Sequence, residues 1–184
     1  MKCMLKNVRL AFPTLFTPKS VNGGDPTFSA SLIIEPGSAA ETAIRKAINE
    51  AAEAKWGAKA KTELAHLEKK DKLCLHDGDD KSRYSGFEGN IYVSATNRSR
   101  PKLFDRHKDP VVEADDLLYA GCYVNVAVDV WAQDNQFGRR VNASLLAMQF
   151  FRHGDAFAGG AQASSDDFDD LGDEDDDELQ RLVG

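Results

Sequence analysis

The run Cys122-Tyr123-Val124-Asn125-Val126-Ala127-Val128-Asp129-Val130-Trp131 places cysteine or valine at every second position. Successive side chains of a strand point to opposite faces, so this spacing gives one strand with a continuous apolar face. Five such positions in a row are too many for a surface ribbon, and the valine face must be core. Trp131 then falls on the opposite face, toward solvent. Beyond it, Asp134-Asn135-Gln136-Phe137-Gly138 is a turn signal, and a last strand follows from about Val141 to Phe151.

The same alternation recurs toward the N-terminus. Val8, Leu10 and Phe12 alternate with Asn7, Arg9 and Ala11, and Pro13 closes the run. Phe28, Ala30, Leu32 and Ile34 repeat it until Glu35-Pro36-Gly37. Between them, Asn22-Gly23-Gly24-Asp25 makes the two runs antiparallel neighbours. Leu73 with Leu75, and Ile91, Val93 and Ala95, add shorter strands. The one helical stretch opens on Ser38-Ala39-Ala40-Glu41, a capping box in which serine and glutamate satisfy each other's free N–H groups. Ile44, Ile48, Ala51, Ala52 and Trp56 follow at helical spacing up to Gly57, and a second piece from about Lys59 to Lys70 carries Leu64 and Leu67. Several strands, one helical insertion at about 38–70 and no βαβ rhythm predict a mainly β fold. An OB-like antiparallel barrel over residues 1–157 is the most economical form.

The charge is unevenly placed. The 184 residues carry a formal net charge of −7, yet residues 158–184 hold ten acids and one base. Residues 1–157 therefore have twenty acids against twenty-two bases, a net of +2. Ala158 to Ser165 has linker composition. The acidic block that follows comprises Asp166, Asp167, Asp169, Asp170, Asp173, Glu174, Asp175, Asp176, Asp177 and Glu178, with Phe168 and Leu171 its only apolar residues. Such a segment buries too little surface to offset the entropy of ordering, so a disordered acidic tail is expected over 158–184. It reads either as a solvating appendage or as a mimic of a phosphate backbone, able to cover a basic groove of its own domain or to dock on a partner protein. Phe168, Leu171, Leu179 and Leu182 supply apolar anchors for the second role.

The segment from Lys81 to Lys108 groups Lys81, Arg83, Arg98, Arg100, Lys102, Arg106 and Lys108 with Tyr84, Phe87, Tyr92 and Phe104. Trp131 and the hairpin tip Phe137-Gly138-Arg139-Arg140 repeat the chemistry. Cations for phosphates and flat rings for unpaired bases are what a single nucleic-acid strand requires. The candidate DNA-binding residues are therefore Lys81, Arg83, Tyr84, Phe87, Tyr92, Arg98, Arg100, Lys102, Phe104, Trp131, Phe137, Arg139 and Arg140. The opposing reading makes Tyr92 and Phe104 core and the cations solvated loop charges.

Catalytic chemistry has little to stand on. His76-Asp77-Gly78-Asp79-Asp80 is the only stretch resembling a metal site, and after a strand it is ordinary turn composition. Cys74 and His76 are too sparse for zinc. There is no phosphate-binding glycine loop and no nucleophile beside a base. No enzyme activity and no cofactor are expected. Cys3, Cys74 and Cys122 are three and scattered, which argues for reduced thiols in a cytoplasm. The N-terminal residues lack a signal peptide's apolar region, and no membrane partner is expected.

Gly86-Phe87-Glu88-Gly89-Asn90-Ile91-Tyr92-Val93-Ser94-Ala95, Tyr119-Ala120-Gly121-Cys122-Tyr123-Val124-Asn125 and Gln149-Phe150-Phe151-Arg152-His153-Gly154-Asp155 carry a resemblance. Together they look like the phage single-stranded-DNA-binding proteins long catalogued as a family of unknown function, with OB folds and acidic tails. The resemblance spans about residues 1–160. It implies sequence-independent binding of single-stranded DNA in phage replication, recombination or repair, inside the infected host's cytoplasm. Replication or recombination proteins are the implied partners of the tail, and a homodimer is compatible with it. Related tails commonly end on an aromatic residue, whereas this chain ends Glu178-Leu179-Gln180-Arg181-Leu182-Val183-Gly184. Two other readings are a non-enzymatic protein-interaction module or DNA mimic and, more weakly, a metal-dependent nuclease using Asp77 to Asp80.

Overall fold

A computed structural model describes residues 1–157 together with 168 and 169. Among the described residues there are seven strands: β1 (Lys2–Lys19), β2 (Thr27–Ile34), β3 (Leu75–Asp77), β4 (Ile91–Asn97), β5 (Lys102–Phe104), β6 (Tyr123–Asn135) and β7 (Gly138–Arg152). Two helices, α1 (Ala39–Trp56) and α2 (Ala60–Lys69), lie between β2 and β3. The sheet order is β3-β4-β2-β1-β6-β7-β5, and a further parallel pairing of β4 with β7 at Thr96 and Ser144 closes it. The ring β1-β2-β4-β7-β6 is thus a five-stranded barrel, the OB-like architecture the alternation predicts.

The barrel interior is filled from every strand. Leu5, Val8 and Leu10, Leu32 and Ile34, Val93 and Ala95, and Leu145 and Met148 are all at or near zero exposure. Val124, Val126, Val128 and Val130 are completely buried, as the opening run requires. Each such side chain contributes about 1.5–3 kcal/mol on leaving water. Helix α1 adds Ala40, Ile44, Ala47, Ile48 and Ala51 to the same core and so covers one end of the barrel.

Four features differ from the sequence expectations. First, β1 does not stop at Pro13 but runs on to Lys19. It does so by breaking its pairing with β2 between Ala11 and Thr14, where Pro13 needs no ladder bond. Asn7 and Phe12 take positive φ values of 54° and 46° at the irregular points. The break at Phe12 turns its ring outward, 46% exposed, against the core position the alternation assigned it. Second, Lys102–Phe104 forms a strand parallel to β7, which the alternation did not mark. Third, the β6–β7 strands reach Asn135 and Gly138, leaving a two-residue turn at Gln136-Phe137. Fourth, the capping box is offset by one residue. Ser38 Oγ accepts from the Glu41 N–H at 3.4 Å, while the Glu41 carboxylate accepts from the Gly37 N–H at 2.5 Å.

After β7 the chain folds back over the outer face. Tyr119 Oη donates to the Gly154 carbonyl at 3.0 Å, and the Phe157 N–H donates to the Ala120 carbonyl at 2.9 Å. The fold leaves no room for larger residues along this path. A Cβ on Gly121 would lie 2.2 Å from the Asp155 carbonyl oxygen, and one on Gly154 would lie 2.4 Å from that of Gly121. The acidic tail lies outside the described residues except for exposed Phe168 and Asp169. Among the described residues no helix is long and apolar enough to cross a membrane.

Candidate nucleic-acid interface

The loop between β3 and β4 builds one side of the site. It opens with a turn over Gly78–Lys81 in which Asp77 Oδ1 accepts from the Asp79 N–H at 2.9 Å. Asp79 Oδ1 accepts in turn from the Gly89 N–H at 2.8 Å, and the Gly78 N–H donates to the Asn90 carbonyl at 2.8 Å. Asp77 and Asp79 are thereby spent on backbone amides, which is turn chemistry. Among the described residues no three His, Cys, Asp or Glu side chains are grouped to hold a metal ion.

So clamped, the loop lies on the outer face of β1, β2 and β4. Phe87 is 1% exposed and packs with Ala11, Ile33 and Tyr92 in a small apolar cluster outside the barrel, against which Phe157 also rests. Tyr92 is 6% exposed, and its hydroxyl pKa is raised by burial first and by Asp71 and Asp80 after that. Above this floor stand two accessible rings, Tyr84 and Phe12, edge to face with centroids 5.0 Å apart. The Lys81 ammonium lies 4.9 Å from the Tyr92 ring centre and 5.4 Å from that of Phe12, and the Arg83 guanidinium lies 4.8 Å over Tyr84. Neither cation forms an ion pair among the described residues. Their charge is available to a ligand anion beside rings that can take a base.

The outer face continues as a hydroxyl-bearing surface. Ser29 pairs with Thr96 across β2 and β4, and Thr96 pairs with Ser144 across the closure, whereas Ser31, opposite Ser94, is buried. Trp131, 42% exposed on β6, donates its indole N–H to Ser144 Oγ at 3.1 Å. At the β4–β5 connection Arg100 donates to the Phe16 carbonyl at 3.0 Å and sits 5.9 Å over Phe28. Arg98 pairs with Asp25 of the β1–β2 loop at 2.8 Å, both side chains exposed. Exposed pairs of this kind are worth no more than about 1 kcal/mol, so an anion can exchange for the aspartate.

The thirteen candidate residues therefore divide. Lys81, Arg83 and Tyr84 come together on the β3–β4 loop, Arg98 and Arg100 lie at the β4–β5 connection, and Trp131 is on the outer face of β6 beside Ser144. Phe87 and Tyr92 support the first of these groups from beneath and present no free face, which corrects their reading as stacking rings. Lys102 is exposed on β5, and half-buried Phe104 sits beside it against β7. Phe137, Arg139 and Arg140 are at the far end of the β6–β7 hairpin, against α2. There Arg139 bonds Glu63 at 2.6 Å and Asp134 at 3.2 Å, so its charge is already matched. The pKa of Arg139 is raised by Glu63 first and Asp134 next. Phe137 is 80% exposed at the turn. Sequence reasoning missed Phe12, because a bulge that flips one side chain leaves no periodic mark. The outward residues Arg9 and Tyr123 were legible as such, being the alternates of buried Val8, Leu10 and Val124.

A model of the family described as Enterobacter phage Enc34, ssDNA-binding protein, matches residues 1–179. Putative protein p50 of Acyrthosiphon pisum secondary endosymbiont phage 1 is 43% identical over 184 residues, covering 97% of this chain and 98% of that protein. Among solved structures, the single-stranded DNA-binding protein from bacteriophage Enc34, in complex with ssDNA, aligns with a TM-score of 0.71 at 24% identity. That alignment covers 85% of this chain and 89% of the other. The single-stranded DNA binding protein gp2.5 encoded by bacteriophage T7 aligns at 0.56 and 14% identity, covering 95% and 97%. The structural likeness speaks for the barrel and the family match for the lineage: the chain belongs to the family of the Enterobacter phage Enc34 single-stranded-DNA-binding protein.

Proposed function

We propose that this protein binds single-stranded DNA without sequence preference during phage DNA replication, recombination or repair, and that it acts by binding rather than catalysis. The observation that carries this reading is the accessible Tyr84–Phe12 ring pair with Lys81 and Arg83 held over rings and left without carboxylate partners among the described residues. A base can stack on a ring only when its own face is free, which a duplex denies it. In this reading bases stack on Tyr84, Phe12 and Trp131, while Lys81, Arg83, Arg98, Arg100 and Lys102 neutralise phosphates. The serine and threonine hydroxyls of β2 and β4 give the strand a shallow uncharged floor. Family membership supports the reading, as does a barrel type whose strand face and flanking loops receive oligonucleotides.

The acidic tail fits the same scheme. Ten carboxylates joined covalently to the domain resemble a short stretch of phosphate backbone and compete with DNA for the cations. Once displaced, the tail is free to recruit basic surfaces of other replication proteins.

The reading is tested by the double substitution Tyr84→Ala with Arg83→Ala, followed by fluorescence anisotropy with an oligothymidylate. Loss of one stacked base at ~1–3 kcal/mol predicts weakening of roughly fivefold to more than a hundredfold, with the thermal midpoint kept because both residues are exposed. Wild-type affinity in a folded double variant contradicts the placement of the site.

A further inference from the structure

Arg9 of β1, Tyr123 of β6 and Arg152 of β7 form a second cation–ring group, beside the site above. Strand register places them in one transverse row: Tyr92 pairs with Ile33, Ile33 with Arg9, Arg9 with Tyr123, and Tyr123 with Arg152. The row thus crosses β4, β2, β1, β6 and β7 on the outer face of the sheet. Its middle lies under Phe87 and Phe157, and its far end is open.

At that open end the Arg152 guanidinium lies 3.6 Å from the centre of the Tyr123 ring, and that of Arg9 lies 5.5 Å from the same ring. Arg9 is also a structural brace. Its Nε donates to the Gly121 carbonyl at 3.0 Å, its Nη2 donates to the Asp155 carbonyl at 2.8 Å, and its other side faces Phe157 at 4.2 Å. Arg152 braces nothing comparable. It is exposed, and the one hydrogen bond of its side chain among the described residues is a long one of 3.4 Å from Nε to Asn7 Oδ1. Neither arginine meets a carboxylate among the described residues. A guanidinium lying over a ring keeps its in-plane N–H groups pointed outward, which is the geometry that grips a phosphate bidentately.

We propose that Arg152, stacked on Tyr123 beside Arg9, is a phosphodiester-binding site that continues the single-strand path across β1 onto β6 and β7. The proposal rests on the single-strand reading and lengthens the path it describes. Tyr123 is three strand spacings from Tyr92, about 14 Å, so the two sites are bridged only by a strand of several nucleotides. Approach is from the Arg152 side, because Phe157 closes the other side of Arg9.

The experiment compares full-length wild type, Arg152→Ala and Arg152→Lys on oligothymidylates from a dinucleotide up to about 16 nucleotides, each at several salt concentrations. Circular dichroism and thermal melting verify that each variant folds. On the longest oligonucleotide Arg152→Ala is expected to bind roughly tenfold or more weakly, with a log–log salt slope shallower by about 0.7. On the shortest, which cannot span both sites, it matches wild type. Arg152→Lys keeps the wild-type slope and loses part of the affinity. Equal binding and equal slopes for Arg152→Ala and wild type at every length overturn the proposal while leaving the Tyr84 site standing. A loss that is the same at all lengths with an unchanged slope also overturns it. Wild type that fails to bind any single strand removes the broader reading, and the extension with it.

Discussion

Tyr84 and Phe87 sit three residues apart in one loop and have opposite fates. Phe87 is buried in the cluster that glues the loop to the sheet, whereas Tyr84 is 38% exposed above it. Removing the Phe87 side chain leaves a cavity, so Phe87→Ala is expected to cost about 3–5 kcal/mol by urea denaturation. DNA affinity falls with it, since the loop carrying Lys81, Arg83 and Tyr84 loses its anchor. A Phe87→Ala protein with unchanged stability contradicts the packing described. The thiols illustrate the same divide between packing and reactivity. Burial pushes Cys74 up to about 12 and Cys122 up to about 11, so at neutral pH both are neutral packing groups rather than nucleophiles. Individual fates of this kind were the least legible part of the sequence. Composition placed Lys81, Arg83, Tyr84, Phe87 and Tyr92 in one region, but which rings face out depends on how the loop lands on a distant strand.

Strand β6 could be read directly because its period is unbroken from Cys122 to Val130, and the cysteine and all four valines meet the core. Strand β1 could not be read to its end, since its positive-φ residues Asn7 and Phe12 interrupt the period and Pro13 imitates a terminator. Strand β5 is three residues long and pairs in parallel with β7, a partner more than forty positions away, so no local pattern announces it. Barrel closure at Thr96 and Ser144 is likewise a single non-local pairing. The loop before β4 depends on an element-scale detail, the absence of a side chain at position 78. A Cβ there would lie 2.1 Å from the Phe87 carbonyl oxygen and 2.4 Å from that of Asn90, both backbone atoms. Gly78→Ala is therefore expected to destabilise the protein by about 1–3 kcal/mol and to weaken single-strand binding, read by thermal melting and anisotropy. A variant that melts and binds as wild type shows that the loop is not held as described.

At the scale of the whole molecule the division of charge dominates. A net charge of −7 argues against a polyanionic ligand, yet residues 1–157 sum to +2 while the remaining 27 residues carry ten acids and one base. The domain's cations are few, so position matters more than number. Lys81 and Arg83 lie over rings with no carboxylate partner among the described residues, whereas Arg139 at the hairpin tip is neutralised by Glu63 and Asp134. In the proposed scheme the attached polyanion would compete with DNA, and salt would weaken both interactions. The most direct test of single-strand binding is a titration of single-stranded against duplex oligonucleotides at two salt concentrations, using the full chain and a form ending at residue 157. Preferential binding of the single strand is expected, weakening with salt at a log–log slope of about −0.7 per neutralised phosphate, and tighter in the shortened form at low salt. Failure of both forms to bind the single strand at low salt, or equal affinity for the duplex, contradicts the account.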